Sequence, residues 1–274
     1  MSKNEQNRRV AFVTGATSGL GLAISRELSS ADYVVYGGGR RKPTESCGKN
    51  CQYVALDVTR EASVVQARDF VLSHEDHIDL LVCAAGYGVS GAIEETPIEE
   101  ARAQFDVNYF GVVRTVNAVL PGMRARRAGK IIIIGSVAGK IGMPFQAHYS
   151  ASKFAIEGFV ESLRYEVSPF GIEVCVVEPG DFKTGFTEAR KKILSDGSPY
   201  QQKFQAVLSI QEHDETHGVD PAVAAKKIGS LAQATRKLRA RYTVGPLFER
   251  FAVWVRGIMP DSWFEAFYRI YYKL

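Results

Sequence analysis

Long apolar runs are missing from this chain. No stretch approaches the roughly 18 consecutive apolar residues of a membrane-spanning helix, so no span is expected. Cysteine is scarce, with four in 274 residues, too few for a disulfide scaffold. Cys83 and Cys175 lie inside apolar runs and are expected as reduced core thiols. Cys47 and Cys51, in "CGKNC", form one pair, which falls short of a tetrahedral zinc site, and they are expected as reduced loop thiols. His213 and His217 stand four apart in a loop-like stretch with no third ligand nearby, so no metal is expected. One-sided charge is absent too. A formal net charge of +4 gives no reason to expect nucleic acid and does not oppose an anionic ligand. The polar start "MSKNEQNRRV" has no apolar h-region, so no signal peptide is read and a cytoplasmic location is expected. No internal repeat and no low-complexity linker interrupts the chain.

What is present is an alternation. The apolar strands "VAFVTG" (10–15), "YVVYGG" (33–38), "QYVALDV" (52–58), "IDLLVCAAG" (78–86), "KIIIIGS" (130–136) and "IEVCVVEPG" (172–180) are separated by helical-period segments near 20–30, 61–73, 97–123 and 149–168. Continuous apolar strands predict a parallel sheet buried on both faces. Right-handed crossovers then give a doubly wound, three-layer α/β/α sheet of Rossmann type, with residues 1–274 as one domain. Residues 181–219 break the rhythm and are polar and mixed. Asp220 as N-cap and Pro221 at the first helical position restore a helix, and "YTVG" (242–245) reads as a last strand.

"TGATSGLG" (14–21) follows the first strand and opens the first helix, the context in which a glycine pattern becomes informative. Gly15 suits the tight turn, Gly19 a close approach to pyrophosphate, and Gly21 close helix–strand contact. Thr17, Ser18 and Leu20 complete the loop, and the helix N-terminus offers free N–H groups to an anion. "HYSASKFAIEG" (148–158) sets Tyr149 and Lys153 four apart, neighbours on one helix face. A phenol beside an ammonium is a proton-transfer pair, and the cation is expected to draw the phenol's pKa down from about 10. Ser136 ends a strand where such sheets hold ligands, so its hydroxyl is placed to hold a substrate carbonyl beside Tyr149.

"TGATSGLG", "LDVT", "CAAG", "DVNYFG", "IGSVAG", "YSASK" and "EPG" occur in this order, and with them the chain resembles the short-chain dehydrogenase/reductase family over roughly residues 9–185. The resemblance implies a hydride-transferring oxidoreductase with Asn108, Ser136, Tyr149 and Lys153 in its catalytic set, Asn108 positioning Lys153 through a water. It implies that Asp57 and Val58 meet the adenine, that Ala84, Ala85 and Gly86 form a cofactor wall, and that Pro179, Gly180, Phe182 and Thr184 line the nicotinamide. The family often has Asn-Asn-Ala-Gly where this chain has "CAAG", and Cys83 cannot make an amide's bridging hydrogen bonds. Residues 181–219 occupy the place of a mobile substrate lid. His148 is a candidate lining residue of the substrate pocket.

NAD-binding units usually carry an acidic residue after the second strand, to bind the ribose 2′-OH. That place falls at Gly39, followed by Arg40, Arg41 and Lys42. Cations bind a 2′-phosphate, so NADP(H) is expected, with Arg40 and Arg41 as its ligands. The alternatives are an NAD-linked alcohol dehydrogenase and a non-catalytic NADP-sensing protein. The partner expected is a small-molecule ketone or alcohol, apolar in character, and a homodimer is expected. The tail, 246–274, reads as two amphipathic helices broken at Pro260, the second opened by a capping box of Ser262 and Glu265. Packing on the domain and cover over the pocket is the favoured use. A dimer contact and a membrane-surface anchor with Arg256, Arg269 and Lys273 are the others.

Overall fold

Strand residues alternate between two buried faces, and that alternation sets the layers. The computed structural model describes residues 8–274, so most of the polar N-terminal segment lies outside the described residues. The elements in chain order are β1 (Arg9–Thr14), α1 (Gly19–Ser30), β2 (Tyr33–Gly39), β3 (Cys51–Ala55), α2 (Glu61–His74), β4 (Leu80–Cys83), β5 (Val89–Gly91), α3 (Ile98–Phe105) and α4 (Gly111–Arg126). They continue with β6 (Gly129–Ile134), α5 (Ala147–Val167), β7 (Ile172–Pro179), α6 (Phe186–Ala189), β8 (Lys191–Ile193), α7 (Gln201–Thr216), α8 (Pro221–Gln233), β9 (Arg241–Val244), α9 (Leu247–Arg256) and α10 (Asp261–Tyr272).

Seven strands form one sheet in the order β3-β2-β1-β4-β6-β7-β9. Every pairing is parallel, as continuous apolar strands predict. On one face Val10, Phe12, Leu81, Ile131 and Ile133 pack with Val64, Val116, Ile156 and Val160 of α2, α4 and α5. On the other, Ala11, Val13, Val35, Leu80 and Ile132 pack with Ile24 and Leu28 of α1 and Ala224 and Ile228 of α8. Strand order reverses between β1 and β4, which opens a crevice at the strands' carboxyl ends. Asp220 caps α8, its carboxylate accepting from the Ala222 N–H at 2.7 Å.

Several local expectations are corrected. The helix read near 97–123 is two helices joined by a π turn over Asp106–Phe110. Residues 181–219 hold α6, β8 and α7, and β8 pairs with β5 in a small second sheet. His213 and His217 therefore lie at the end of a helix, with ring centroids 4.1 Å apart. Cys47 and Cys51 form a disulfide, because the turn into β3 brings their Cα atoms to 5.5 Å, within bridging distance. Cys83 and Cys175 are free and buried. The capping box is not formed: α10 starts one residue before Ser262 and has no side-chain cap. Its start is held by an ion pair to α9, Arg256 Nη1 to Asp261 Oδ1 at 2.6 Å.

Candidate active site

The carboxyl ends of six strands border one cavity of about 720 Å³. After β1 comes the glycine turn. Gly15 has φ +69°, and a Cβ there would sit 2.7 Å from the Ala85 backbone, so only glycine allows the two loops to approach. Ser18 precedes α1 with extended backbone and makes no side-chain cap, which leaves its hydroxyl and the first-turn N–H groups open to an anion. Thr14 ties this turn to the loop after β4, its hydroxyl accepting from the Ala84 and Ala85 N–H groups at 3.1 and 3.2 Å. Thr14 thus bridges the sheet centre beside Cys83, a role that the sequence reading had not assigned.

After β2, Gly39 packs against Thr17: a Cβ there would lie 2.4 Å from the Thr17 γ-methyl and 3.0 Å from its hydroxyl oxygen, so a side chain at 39 fits only if Thr17 shifts. Arg40 and Arg41 are both exposed, but only Arg40 lines the cavity, so the pair expected as phosphate ligands is separated. Asp57 accepts from the Thr59 hydroxyl at 2.7 Å and its N–H at 3.0 Å. Burial pushes the Asp57 pKa up, but Thr59, Arg40 and Arg60 outweigh it and hold the carboxyl below its usual range. Thr17, Ser18, Gly19, Leu20, Gly21, Val58, Ala84, Ala85, Gly86, Pro179, Gly180, Phe182 and Thr184 all line the same cavity. This lining of glycine turn, free helix N-terminus and cationic rim fits a dinucleotide.

At the other end, α5 presents Tyr149 and Lys153, both buried, with Ser136 beside them at the end of β6. Lys153 Nζ donates to the Ile134 carbonyl at 2.9 Å and lies 5.8 Å from the Tyr149 ring centre. Burial pushes the Tyr149 phenol up to about 12; the Ser136 hydroxyl and the Arg190 guanidinium pull against it, and Glu215 and Asp181 add to it. Within the chain burial outweighs the cations, and the Lys153 ammonium is turned to a carbonyl; the lowering expected from Lys153 together with an oxidised nicotinamide's charge needs that second cation. Burial brings Lys153 down to about 8, opposed by Glu157 one helical turn further on. At neutral pH the site holds a protonated phenol beside an ammonium.

Asn108 sits on the π turn, fully buried and outside the lining. Its amide exchanges hydrogen bonds with the Tyr87 backbone at 3.0 and 3.1 Å and donates to Ser152 Oγ at 3.1 Å. It thereby braces α5 next to Lys153. His148 is a correction: it faces a separate groove with Ile98, Phe105 and Phe110, because neighbouring helix positions point apart.

Phe186, Thr187, Asp181 and Glu215 are among the lining residues that sequence motifs do not mark. Phe186 of α6 lies 5.7 Å from the Tyr149 ring, and Thr187 donates to Glu215 at 2.6 Å. Glu215 also pairs with Arg190, whose buried Nε and Nη1 have no partner. Asp181 follows β7 and meets Glu249 of α9, which accepts from the Asp181 N–H at 3.0 Å. Burial raises both carboxyls, and for Asp181 the facing Glu249 adds to the rise.

A doubly wound parallel sheet with a dinucleotide cradle at its switch point and a Ser–Tyr–Lys cluster beside it defines a Rossmann-type oxidoreductase. The sequence model described as short chain dehydrogenase matches residues 9–194. The chain is 40% identical over 268 residues to a 3-ketodihydrosphingosine reductase of Bacteroides thetaiotaomicron, covering 97% of this chain and 98% of that protein. It is 37% identical over 206 residues to human 17-beta-hydroxysteroid dehydrogenase type 1, covering 70% and 61%. A solved short-chain dehydrogenase from Streptomyces avermitilis superposes with a TM-score of 0.77 at 35% identity, over 88% of this chain and 89% of that one. The chain belongs to the short-chain dehydrogenase family, whose members bind a nicotinamide cofactor.

Proposed function

We propose that this protein uses NADPH to reduce the ketone of a long-chain, largely apolar molecule. The observation that carries the reading is one continuous cavity with Arg40 beside Gly39 at one end and Ser136, Tyr149 and Lys153 at the other. Arg40 favours the 2′-phosphate, and Thr17 fills the space that a 2′-OH-binding carboxylate at position 39 would need. Met143, Phe186 and Ala189 give the substrate end an apolar wall. The Bacteroides relative, named for a long-chain ketone, matches 97% of the chain, which must include most of the tail over that end.

When bound, the nicotinamide supplies the hydride. The chain's own residues do the rest. Ser136 and Tyr149 hold the carbonyl oxygen, and Tyr149 gives it the phenolic proton as negative charge develops there. A phenol protonated at neutral pH suits reduction. Lys153 keeps a positive charge near that oxygen, and Asn108, through Ser152, fixes the helix that carries both groups.

The test is NADPH oxidation with a panel of long-chain 3-ketones, steroid ketones and retinal. A long-chain ketone should give the highest kcat/KM. Tyr149→Phe should bind NADPH normally and lose at least about 10²-fold in turnover. Near-normal turnover in that variant, or no oxidation with any ketone, would sink the reading.

A further inference from the structure

The tail helices turn their most apolar side chains away from the protein. On α9 and just beyond, Leu247, Phe248, Phe251, Trp254 and Ile258 follow helical spacing and are all exposed, Leu247 to 77% and Trp254 to 61%. On α10, Trp263, Phe267 and Ile270 do the same, Trp263 at 69% and Ile270 at 79%. Monomer surfaces rarely leave so many large apolar groups contiguous without a partner. The opposite sides of these helices are already used. Phe264 and Tyr272 are buried, Tyr268 reaches Met143 at 3.1 Å, and Glu249 sits on Asp181.

Arg250 of α9, Arg269 of α10 and Lys273 just after it are exposed and have no acidic partner among the described residues. Glu265 is the one exposed carboxylate there outside an ion pair, since Asp261 is held by Arg256. Large aromatics edged by free cations suit a layer of anionic headgroups over acyl chains, where tryptophan prefers to lie. A second copy related by a two-fold axis would instead bring like cations together.

We propose that the outer face of α9 and α10 docks on an anionic phospholipid surface. The inner face stays over the cavity through Met143, Gly180 and Asp181, so the docked face and the substrate end share two helices. An apolar ketone dissolved in a bilayer would then meet the cavity without crossing water. The docking itself does not depend on which ketone is reduced.

Trp254 and Trp263 are the only two tryptophans in the chain, and both lie on this face, so intrinsic fluorescence reports on it directly. With phosphatidylglycerol vesicles the full chain should shift its emission to shorter wavelength and be quenched by brominated acyl chains. Phosphatidylcholine should bind about tenfold less, and high salt should remove that difference. The double variant Leu247→Ser, Ile270→Ser changes only exposed positions. It should unfold at an unchanged temperature and partition at least about tenfold less. Unshifted, unquenched emission with vesicles overturns the proposal. So does emission already at short wavelength without lipid that moves back on dilution, which would put a second copy on this face.

Discussion

Suppose Arg40 is replaced by alanine. Arg40 is exposed at the rim of the cavity, next to a Gly39 whose side-chain space is taken by Thr17. A hydrogen bond to a charged group is worth about 1.5–3 kcal/mol. Exposure to solvent holds an arginine–phosphate contact toward the lower part of that range. We therefore expect Arg40→Ala to lower kcat/KM for NADPH by about ten- to a hundredfold, and to leave NADH within about threefold. The difference should shrink as salt is raised, since an exposed contact is screened. Arg41→Ala is the internal control. Arg41 lies outside the lining, so its loss should change either cofactor by less than about threefold. Steady-state kinetics with both cofactors at subsaturating concentration decide it. Equal losses for NADPH and NADH in Arg40→Ala, or a larger effect from Arg41, would refute the reasoning. An acidic residue at position 39 would not be a clean switch here, because it would collide with Thr17 unless that residue were also reduced in size.

Two further predictions concern buried charge. Glu157 follows Lys153 by one turn and is bonded to Arg241 at 2.7 Å, with Lys140 at 3.7 Å. It is a positioning residue for the Lys153 charge. Glu157→Gln should move the alkaline limb of the kcat/KM profile to lower pH by about half to one unit, since the ammonium loses its supporting anion; Glu157→Asp should restore it. An unmoved limb refutes the link even if the rate falls. Asp181 and Glu249 have raised folded-state pKa values, so their contribution to stability is present below the usual carboxylate range and is lost as pH rises through the raised values. Asp181→Asn should therefore be no more stable than the parent near pH 4 but more stable near pH 8. A gap in unfolding temperature that does not vary with pH would disprove the raised carboxyl pKa.

What the sequence showed and what it hid follow from the range of each interaction. The six apolar strands and the glycine turn are local patterns, so their places were legible, and Tyr149 and Lys153 fall one helical turn apart. The π turn at Asp106–Phe110 was hidden because one extra residue inside a long helical period leaves the apolar spacing nearly intact. The β5–β8 pair was hidden for another reason: each strand has three residues, and they are about a hundred positions apart. The same holds for Asp181 with Glu249 and for Arg190 with Glu215, which are chosen by tertiary packing. His148 does not line the cavity because the helix turns it to the groove of Ile98, Phe105 and Phe110, a placement set by tertiary packing.

The tail shows a subtler limit. Its helical period is real in both helices, and the usual inference is that the more apolar side faces the protein. Here the inward positions of α10 are Phe264, Tyr268, Tyr271 and Tyr272, and α9 turns in Glu249. Three of those groups are held by specific polar contacts, Tyr268 to Met143 at 3.1 Å, Tyr271 to Asp214 at 2.7 Å and Glu249 to the Asp181 N–H. Tyrosines can line a partly polar junction because each has an apolar ring and a hydroxyl that still needs a partner. Leu247, Phe248, Phe251, Phe267 and Ile270 offer no such hydrogen bond and take the outward side, whereas Phe264 is the one phenylalanine of these helices that is buried. A moment calculated from sequence gives the direction of the apolar stripe but not what it faces. The two tyrosine contacts and the Glu249 contact fix that direction here, and they leave the stripe on the side that the lipid experiment reads.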